Sequence, residues 1–339
     1  MNTVGIPKEE KYGSVPKVLV RGSGSMGSRY LRLLRNELRV PVIVYPKTAG
    51  RASELVNQGW RVIRSLEELE GEEPTHSIIA TNTGQHVEDL RSLSEYGKIL
   101  VEKPLATSLD DLKNLDKNLD FRMESISVAF CLRFSLAAEF FRERIATLGQ
   151  IQQVRIECSS FLPTWRPGTA FRESYSAKEK EGGVLRDLAH EIDYAIWLFG
   201  YPKEVFGTLS NSGYLGIESE EAADLLWVTP GGTTVSLRLD YLGKHPVRFL
   251  KASGERGDMI WDLIESTVVV NLEGSRSEKH QFQDERNSIL LRQMKTFLGS
   301  DDEVGSLASF QDGVKAVALS DAARRSSSSK TLEQIFYTE

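Results

Sequence analysis

Residues Val18–Leu34 read VLVRGSGSMGSRYLRLL and place three glycines between an apolar, strand-like run and a segment of helical period. In a strand–turn–helix unit of this kind, Gly22 permits the tight turn, Gly24 lets a phosphate group approach the backbone, and Gly27 lets the helix pack against the strand. The free N–H groups and the dipole at the helix start would hold a pyrophosphate. A glycine-rich turn without a ligand is the alternative. The residues that we expect to contact a dinucleotide are Gly22, Ser23, Gly24, Ser25, Met26 and Gly27.

The second predicted strand lacks the acidic residue that usually marks NAD-specific folds about 20 residues beyond the glycines. Tyr45 and Pro46 occupy that stretch, and Lys47, Thr48 and Arg51 follow them. Cations and hydroxyl donors at this place suit the 2′-phosphate of NADP, although basic residues at a loop tip are more often simply solvated. The sequence therefore favours NADP(H) over NAD(H), with Tyr45, Lys47 and Arg51 as cofactor contacts.

Strand-like and helical segments alternate along the first third of the chain, which is typical of a parallel sheet with helices on both faces. The predicted strands are Lys17–Arg21, Pro41–Tyr45, Arg61–Ile63, Ser77–Ala80 and Ile99–Val101. The predicted helices are Met26–Leu38, Gly50–Gln58, Gln85–Tyr96 and Leu109–Lys117.

The pattern changes near residue 122, and after one more predicted strand, Ile126–Phe130, and a predicted helix, Ser135–Thr147, strand-like runs follow one another without intervening helices. These runs are Val154–Ser159, Leu225–Thr229, Thr234–Tyr241, Arg248–Ser253 and Thr267–Asn271. We predict an α/β fold in which residues 1–121, with residues 1–16 as a tail, form a Rossmann doubly wound parallel sheet. Residues 122–339 are predicted to form an α+β domain with a largely antiparallel open sheet. A final helix at Ser309–Ser326 is expected to end in a polar surface turn, Ser326–Ser329.

Length and composition agree with two soluble domains, since the chain has 339 residues, of which 27% are charged and 40% hydrophobic. A net charge of −6 provides no general attraction to nucleic acid or to a membrane surface. Cys131 and Cys158 are too few for a disulfide framework, and the histidines are too dispersed for us to expect a metal site. The N-terminal stretch is charged where a signal peptide would be apolar, so we expect a cytoplasmic protein.

Three further segments carry a resemblance to a known family. ATNTGQH, at Ala80–His86, follows the fourth predicted strand, and VEKPLA, at Val101–Ala106, follows the fifth. GGVLRDLAHEID, at Gly182–Asp193, lies in the second half of the chain. Together with the glycine loop, these segments resemble the Gfo/Idh/MocA family of NAD(P)-dependent oxidoreductases from Lys17 to about Ser326.

The resemblance implies hydride transfer between a nicotinamide and a secondary hydroxyl or ketone of a sugar or sugar derivative. The segment LPTWRPGTAFRESYSA, at Leu162–Ala177, followed by GGVLRDLAHEIDY resembles a subgroup linked to bacterial surface-sugar pathways, which implies an amino or acylamino sugar, free or nucleotide-activated. A homodimer or homotetramer through the open face of the second sheet is also expected, because an exposed apolar face needs cover. The alternatives are a dinucleotide-binding sensor or scaffold without catalysis, and a reductase of an imine or other non-sugar substrate.

Lys103 is the predicted catalytic cation. Pro104 favours an extended backbone at Lys103, at the carboxyl end of a central strand, where open α/β sheets bind their ligands. A lysine there can polarise a substrate hydroxyl or carbonyl, and the matching lysine of the family lies beside the nicotinamide and the substrate. A solvated surface lysine is the alternative.

His190 is the predicted acid–base residue, because imidazole titrates near neutral pH. Asp187 and Asp193 lie three residues before and after it, so on a helix either carboxylate could orient the ring. The histidine of the family follows its aspartate by four positions, whereas His190 follows Asp187 by three. Counting back from the histidine selects Arg186, but the shared helical face favours Asp187 as the catalytic partner. A histidine satisfied within a packed helix face is the alternative.

By the same resemblance, the residues after the fourth and fifth strands lie on the nicotinamide side of the cofactor. Thr81, Asn82 and Thr83 are placed to contact it, with Asn82 standing where the family commonly has proline. Glu102 would approach the nicotinamide ribose, and His86 would fix the loop beside the cofactor.

The irregular segment Phe161–Gly183 is rich in aromatic residues and arginines, and a long loop of this kind is usually functional or disordered. Aromatic rings can stack on a sugar, and guanidinium groups can clamp a carboxylate or phosphate, although an oligomer contact is an equal alternative. The predicted substrate-binding residues are Arg133, Trp165, Arg166, Arg172, Tyr175, Asp187 and His190.

Overall fold

A computed structural model describes residues 16–69, 71–113, 115, 123–168, 170–300 and 304–336. The predicted domain boundary between residues 121 and 122, and residues 1–15 of the predicted tail, lie outside the described residues. The division into two domains therefore stays a prediction, while the two sheets on either side of that boundary are described below.

The first sheet has seven strands and confirms the predicted Rossmann architecture. Its strands are β1 (Val18–Arg21), β2 (Val42–Tyr45), β3 (Arg61–Val62), β4 (His76–Ile79), β5 (Lys98–Val101), β6 (Ile126–Val128) and β15 (Ala308–Ser309). The order is β15-β6-β5-β4-β1-β2-β3, and all pairings are parallel except that of β15 with β6. The strand order reverses between β1 and β4, and such switch points form the ligand crevice of open α/β sheets.

The helices of this part are α1 (Ser25–Leu33), α2 (Ala49–Asn57), α3 (His86–Leu93) and α4 (Leu109–Lys113). The end of the first predicted helix, Leu34–Leu38, winds as a π-helical turn. The carboxyl-terminal part of the fourth predicted helix reaches residues that the structure does not describe.

The second sheet has nine strands, and it confirms the predicted antiparallel character with one exception. Its strands are β7 (Ile151–Ser159), β8 (Glu204–Ser210), β9 (Ala222–Val228), β10 (Thr234–Asp240), β11 (Val247–Gly254), β12 (Gly257–Asp262), β13 (Thr267–Leu272), β14 (Glu278–Gln281) and β16 (Glu333–Gln334). The order is β14-β13-β12-β11-β7-β10-β9-β8-β16, and only β7 and β10 pair in parallel. The sequence patterns missed β8, β12, β14 and β16.

Within the described residues, five helices accompany the second sheet: α5 (Leu136–Arg144), α6 (Val184–Asp187), α7 (Ala189–Phe199), α8 (Arg286–Phe297) and α9 (Phe310–Ser329). Two of these helices tie the two sheets together. The α8 residues Leu290, Met294 and Phe297 belong to the apolar cluster that surrounds β1, and α9 follows directly after β15 of the first sheet.

The expected surface turn Ser326–Ser329 is instead the last turn of α9, so that expectation is wrong. Ser326 and Ser327 are buried, and their Oγ atoms accept hydrogen bonds from the backbone N–H groups of Gly207 and Leu209 at 2.9 and 2.8 Å. A polar run is compatible with burial here because strand β8 supplies partners for its hydroxyl groups.

The outer face of the second sheet is not covered by a helix of the described chain. Alternate residues of β8 and β9 point outward, so Phe206, Leu226 and Val228 are exposed by 36%, 47% and 54%. Among the described helices, none combines the length and apolarity needed to cross a membrane.

Candidate active site

The glycine loop has the geometry that a bound phosphate requires. A Cβ at Gly22, whose φ is +92°, would meet the Ala80 carbonyl oxygen at 2.6 Å, and one at Gly27 would meet the Gly22 carbonyl oxygen at 2.2 Å. At Gly24 an added Cβ would meet nothing within 4 Å. Two glycines are therefore needed by the fold, whereas Gly24 leaves the N-terminus of α1 open to a ligand, as a pyrophosphate site requires.

Arg51 lies across the glycine loop from the start of α2. Its Nε donates to Ser23 Oγ at 3.3 Å and its Nη2 donates to Ser28 Oγ at 3.1 Å, while Nη1 pairs with Glu54 at 2.6 Å. Lys47 is exposed on the same side. The cations expected near a 2′-phosphate thus lie beside the loop, and Arg51 is held there by hydroxyl groups.

A second arginine, Arg21, was not singled out from the sequence. Its guanidinium carbon lies 4.0 Å from the centre of the Tyr45 ring, and its Nε donates to Asp89 Oδ1 at 2.8 Å. The other carboxylate oxygen of Asp89 accepts from Thr81 Oγ1 at 2.6 Å. Arg21 therefore holds both Tyr45 and Thr81 in place at the carboxyl edge of the first sheet.

His86 joins the two loops that carry the family motifs. Its Nδ1 lies 2.9 Å from the Pro104 carbonyl oxygen and its Nε2 lies 3.2 Å from that of Thr81. The ring is buried, and burial lowers its pKa. This geometry agrees with the expected loop-fixing role. Asn82 and Thr83, which follow Thr81 and were also expected to face the nicotinamide, differ in exposure: Asn82 is exposed and Thr83 is buried.

The side chain of Glu102 is held by Tyr30, a residue of α1. Its Oε1 accepts a hydrogen bond from Tyr30 Oη at 2.7 Å, and burial raises the pKa of the carboxyl group. The predicted contact of Glu102 with a nicotinamide ribose stays a prediction, because the side chain is already bonded within the protein.

The site itself forms where β5 of the first sheet meets α6 and α7 of the second part. Lys103, two residues beyond the end of β5, donates its Nζ proton to the main-chain oxygen of Asp187 at the end of α6. This bond brings the predicted catalytic lysine across to the segment that carries the predicted catalytic histidine.

His190 lies next to this contact with a ring nitrogen unused. Its Nδ1 is buried without a hydrogen-bond partner among the described residues, and its Nε2 lies 4.0 Å from Cys131 Sγ. Burial lowers the pKa of His190 well below its ordinary range, and the charges of Lys103, Arg248 and Arg286 lower it further. The lowered pKa keeps the imidazole neutral, and its unpaired nitrogen is available for a hydrogen bond with a substrate hydroxyl.

Neither aspartate orients the His190 ring, so that part of the expectation is wrong. The helix breaks at Leu188, which separates α6 from α7 and takes Asp187 off the shared face. Asp187 Oδ2 accepts a hydrogen bond from Tyr241 Oη at 2.7 Å. Both Oδ atoms of Asp193 instead accept hydrogen bonds from Arg133, and burial raises the pKa of the Asp193 carboxyl group to about 6.

Arg133 has a different role from the substrate contact that the sequence led us to expect. Its Nε and Nη2 donate to Asp193 at 3.0 and 2.6 Å, and its Nη1 donates to Asp312 at 3.2 Å. Only 4% of the residue is exposed. Arg133 therefore ties α7 to α9, and its nitrogens are directed at protein carboxylates.

Three of the four substrate-loop residues converge near Asp187. Arg166 Nη2 donates to Tyr175 Oη at 3.0 Å, and burial and the Asp187 charge raise the pKa of Tyr175 to about 12. Trp165 stands edge-on to Tyr241 at 5.3 Å between ring centres. Arg172 does not join them, because its Nε donates to the Leu215 carbonyl oxygen at 2.8 Å.

Family models match both parts of the chain. Residues 16–130 match the oxidoreductase family with an NAD-binding Rossmann fold, and residues 141–260 match the GFO/IDH/MocA C-terminal domain. The chain belongs to the GFO/IDH/MocA family of oxidoreductases. The predicted family and fold class are thereby confirmed, and the first part is an NAD-binding Rossmann domain by its family model. No curated protein sequence matches the chain.

Solved structures of similar fold include proteins described as dehydrogenases and oxidoreductases. Levoglucosan dehydrogenase in complex with NADH and levoglucosan has a TM-score of 0.80 at 18% identity, covering 95% of this chain and 100% of that one. An Agrobacterium radiobacter oxidoreductase with NAD⁺, L-tartaric acid and magnesium has a TM-score of 0.80 at 16% identity, covering 95% and 99%. An oxidoreductase domain protein from Kribbella flavida has a TM-score of 0.80 at 16% identity, covering 96% and 100%. At these identities the likeness shows the fold.

Within this GFO/IDH/MocA protein, three residues near the site besides Arg21 were not predicted from the sequence: Tyr241, Arg248 and Arg286. Tyr241 directly follows β10, and Arg248 pairs with the buried Glu191 at 2.6 Å. Each is a common residue type at an ordinary strand or helix end, so no local pattern marks it. Among the described residues, no group of three or more histidine, cysteine, aspartate or glutamate side chains is arranged to hold a metal ion.

Proposed function

We propose that this protein is an NAD(P)-dependent dehydrogenase or reductase that acts on a secondary hydroxyl or ketone of a sugar or sugar derivative. The observation that carries the proposal is the hydrogen bond from Lys103 to the main-chain oxygen of Asp187, three residues before His190. This bond lies at the carboxyl edge of the same sheet whose first loop leaves the N-terminus of α1 open, and open α/β sheets bind their ligands in a crevice at this edge. A nicotinamide bound in that crevice would accept or supply the hydride.

Lys103 stabilises charge on the reacting oxygen, and His190 transfers the proton. The Lys103 ammonium group polarises the reacting oxygen and stabilises negative charge on it. His190, kept neutral by burial and by the neighbouring cations, takes the hydroxyl proton through a ring nitrogen when an alcohol is oxidised, and returns it in the reverse direction. Asp187 contributes its main-chain oxygen to Lys103 and its carboxylate to Tyr241, so it positions the pair.

The cofactor preference proposed is NADP(H). Support comes from Arg51, which lies over Ser23 and Ser28, and from the exposed Lys47, because guanidinium and ammonium groups at this edge complement a 2′-phosphate. No acidic side chain occupies the end of β2, where an NAD-specific site would present one to the ribose hydroxyls. Arg51→Met is expected to weaken NADPH binding while leaving NADH binding nearly unchanged.

The substrate class proposed is a sugar, and an amino or nucleotide-activated sugar is the first choice for testing. The half-buried Trp165 presents aromatic surface beside the site and packs edge-on against the buried Tyr241, and Arg166 with Tyr175 adds hydrogen-bond donors and a cation. The similar fold of levoglucosan dehydrogenase, which was solved in complex with NADH and levoglucosan, supports testing sugars.

A spectrophotometric panel tests the proposal. Purified protein is mixed with NADP⁺ or NAD⁺ and with free, acylated and nucleotide-activated sugars, and reduced nicotinamide is followed by absorbance. His190→Asn and Lys103→Met are expected to lower turnover by orders of magnitude with little change in cofactor affinity. His280→Asn, on edge strand β14, is the matched control. Cofactor binding without turnover of any sugar would favour the sensor alternative over the enzyme.

We also propose that the outer face of the second sheet pairs with a second copy, as a homodimer or part of a homotetramer. Phe206, Leu226 and Val228 form an exposed apolar patch there, of the kind that protein interfaces cover. Light scattering on the purified protein should give a mass of at least two chains, and Leu226→Glu should lower it.

A further inference from the structure

Helix α8 connects the second part of the chain to the glycine loop. It begins at Arg286, and its residues Leu290, Met294 and Phe297 are buried in the cluster around β1. The ring of Phe297 meets that of His76 edge-on at 5.0 Å between centres. The start of α8 is therefore held at a defined place relative to the first sheet.

Two consecutive residues at the start of α8 contact the start of α1. Arg286 Nη2 lies 3.4 Å from Sδ of Met26, the second residue of α1. The next residue, Asn287, accepts a hydrogen bond from Arg29 Nη1 at 2.8 Å. The guanidinium group of Arg286 thus lies beside the open N-terminal turn that Gly24 exposes.

The positive charge at this place has no ion-pair partner among the described residues, although the Arg286 charge lowers the pKa of Glu102 against the larger effect of burial. Arg286 is exposed and has no carboxylate partner among the described residues. Burial lowers the pKa of Arg29, the charges of Arg286 and Arg32 lower it further, and its Nε is buried without a hydrogen-bond partner among those residues. Cations that crowd a helix N-terminus in this way would be stabilised by an anion, and guanidinium groups match phosphate oxygens in geometry.

We propose that Arg286 binds the pyrophosphate that NAD(H) and NADP(H) share, so that the second part of the chain clamps the cofactor from α8. The inference rests on the proposed function, because it takes the dinucleotide as the ligand. Arg286 and Arg51 are proposed to bind different parts of the cofactor. Arg51 lies in the first turn of α2, just after the end of β2 where the two cofactors differ, and its guanidinium group is already bonded to Glu54, Ser23 and Ser28, whereas Arg286 lies at the phosphates common to both.

The test compares cofactor affinities and needs no substrate. Dissociation constants for NADPH and NADH are measured by nicotinamide fluorescence, and that for ADP-ribose by competition, with wild type, Arg286→Met, Arg286→Lys and Arg51→Met. Arg276→Met, at another exposed arginine of the second part, is the matched control. Thermal unfolding of each variant checks that the fold is retained.

Arg286→Met is expected to weaken all three ligands by a common factor of about tenfold or more, the factor of one charge-assisted hydrogen bond. Arg286→Lys should lose less, and Arg51→Met should affect NADPH alone. Unchanged affinities in Arg286→Met, with tight binding by wild type, would overturn this inference and leave the proposed function intact. An effect on NADH that is absent for ADP-ribose would overturn the pyrophosphate assignment. A wild-type protein that binds none of the three would overturn both proposals.

Discussion

Adding one methyl group at Gly24 or at Gly27 should separate cofactor binding from folding. A Cβ at Gly24 would meet no atom within 4 Å, and the backbone there, with φ −68° and ψ −156°, is extended. Gly24→Ala should therefore change the free energy of unfolding by no more than about 0.5 kcal/mol. Its methyl group would stand where the cofactor phosphates approach, so the loss of one or two hydrogen bonds to charged groups should weaken NADPH about 10- to 100-fold.

Gly27→Ala should have the reverse effect on the unliganded protein. Its Cβ would lie 2.2 Å from the Gly22 carbonyl oxygen, an atom of the backbone, and an ordinary contact needs at least 3.4 Å. The loop or α1 must then move by about 1 Å, and overpacking of this kind costs about 1–3 kcal/mol.

Urea unfolding without cofactor, together with fluorescence titration by NADPH, measures both effects. Gly231→Ala is the matched control, because it lies in a remote turn where a Cβ would have only Thr229 Oγ1, at 3.8 Å. A Gly24→Ala protein that binds NADPH as tightly as wild type, or a Gly27→Ala protein of unchanged stability, would refute the assignment of separate roles to these glycines.

Three further predictions follow from the site. Because His190 has a lowered pKa in the folded protein, the unfolded chain binds more protons below pH 6.5, so stability should fall as pH drops below that value, by up to about 1.4 kcal/mol per pH unit. Urea unfolding between pH 7 and about pH 5 should show a shallower decline for His190→Asn; equal slopes would contradict this. Arg133→Met should cost about 3–5 kcal/mol by leaving Asp193 buried and unpaired, measured by urea unfolding, while a cost under about 1 kcal/mol would show that the pair is dispensable. Tyr241→Phe should lower kcat with little effect on NADPH affinity, because it removes the hydrogen bond to Asp187 beside Lys103, and an unchanged kcat would exclude that positioning role.

The first sheet was predictable from the sequence because its signals are local. The strand, the glycine turn and the helix of Val18–Leu34 lie within one short stretch, and the structure reproduces them as β1, the loop and α1. The second sheet was predicted less completely. The strands β12 and β14 carry mixed polar sequences, GDMIWD and EKHQ, whose pairing with β11 and β13 compensates for weak strand patterns.

The sequence by itself determined which chemical groups the site has available, and the tertiary structure decided what each of them does. Lys103 and His190 were identified from motifs, but their approach depends on a bond between positions 84 residues apart. The Asp187 carboxylate accepts a hydrogen bond from a tyrosine 54 residues away, and Arg286 contacts the first turn of α1, 260 residues before it. Side-chain partners at such separations are selected by packing of the folded chain, for which a single sequence carries no local pattern.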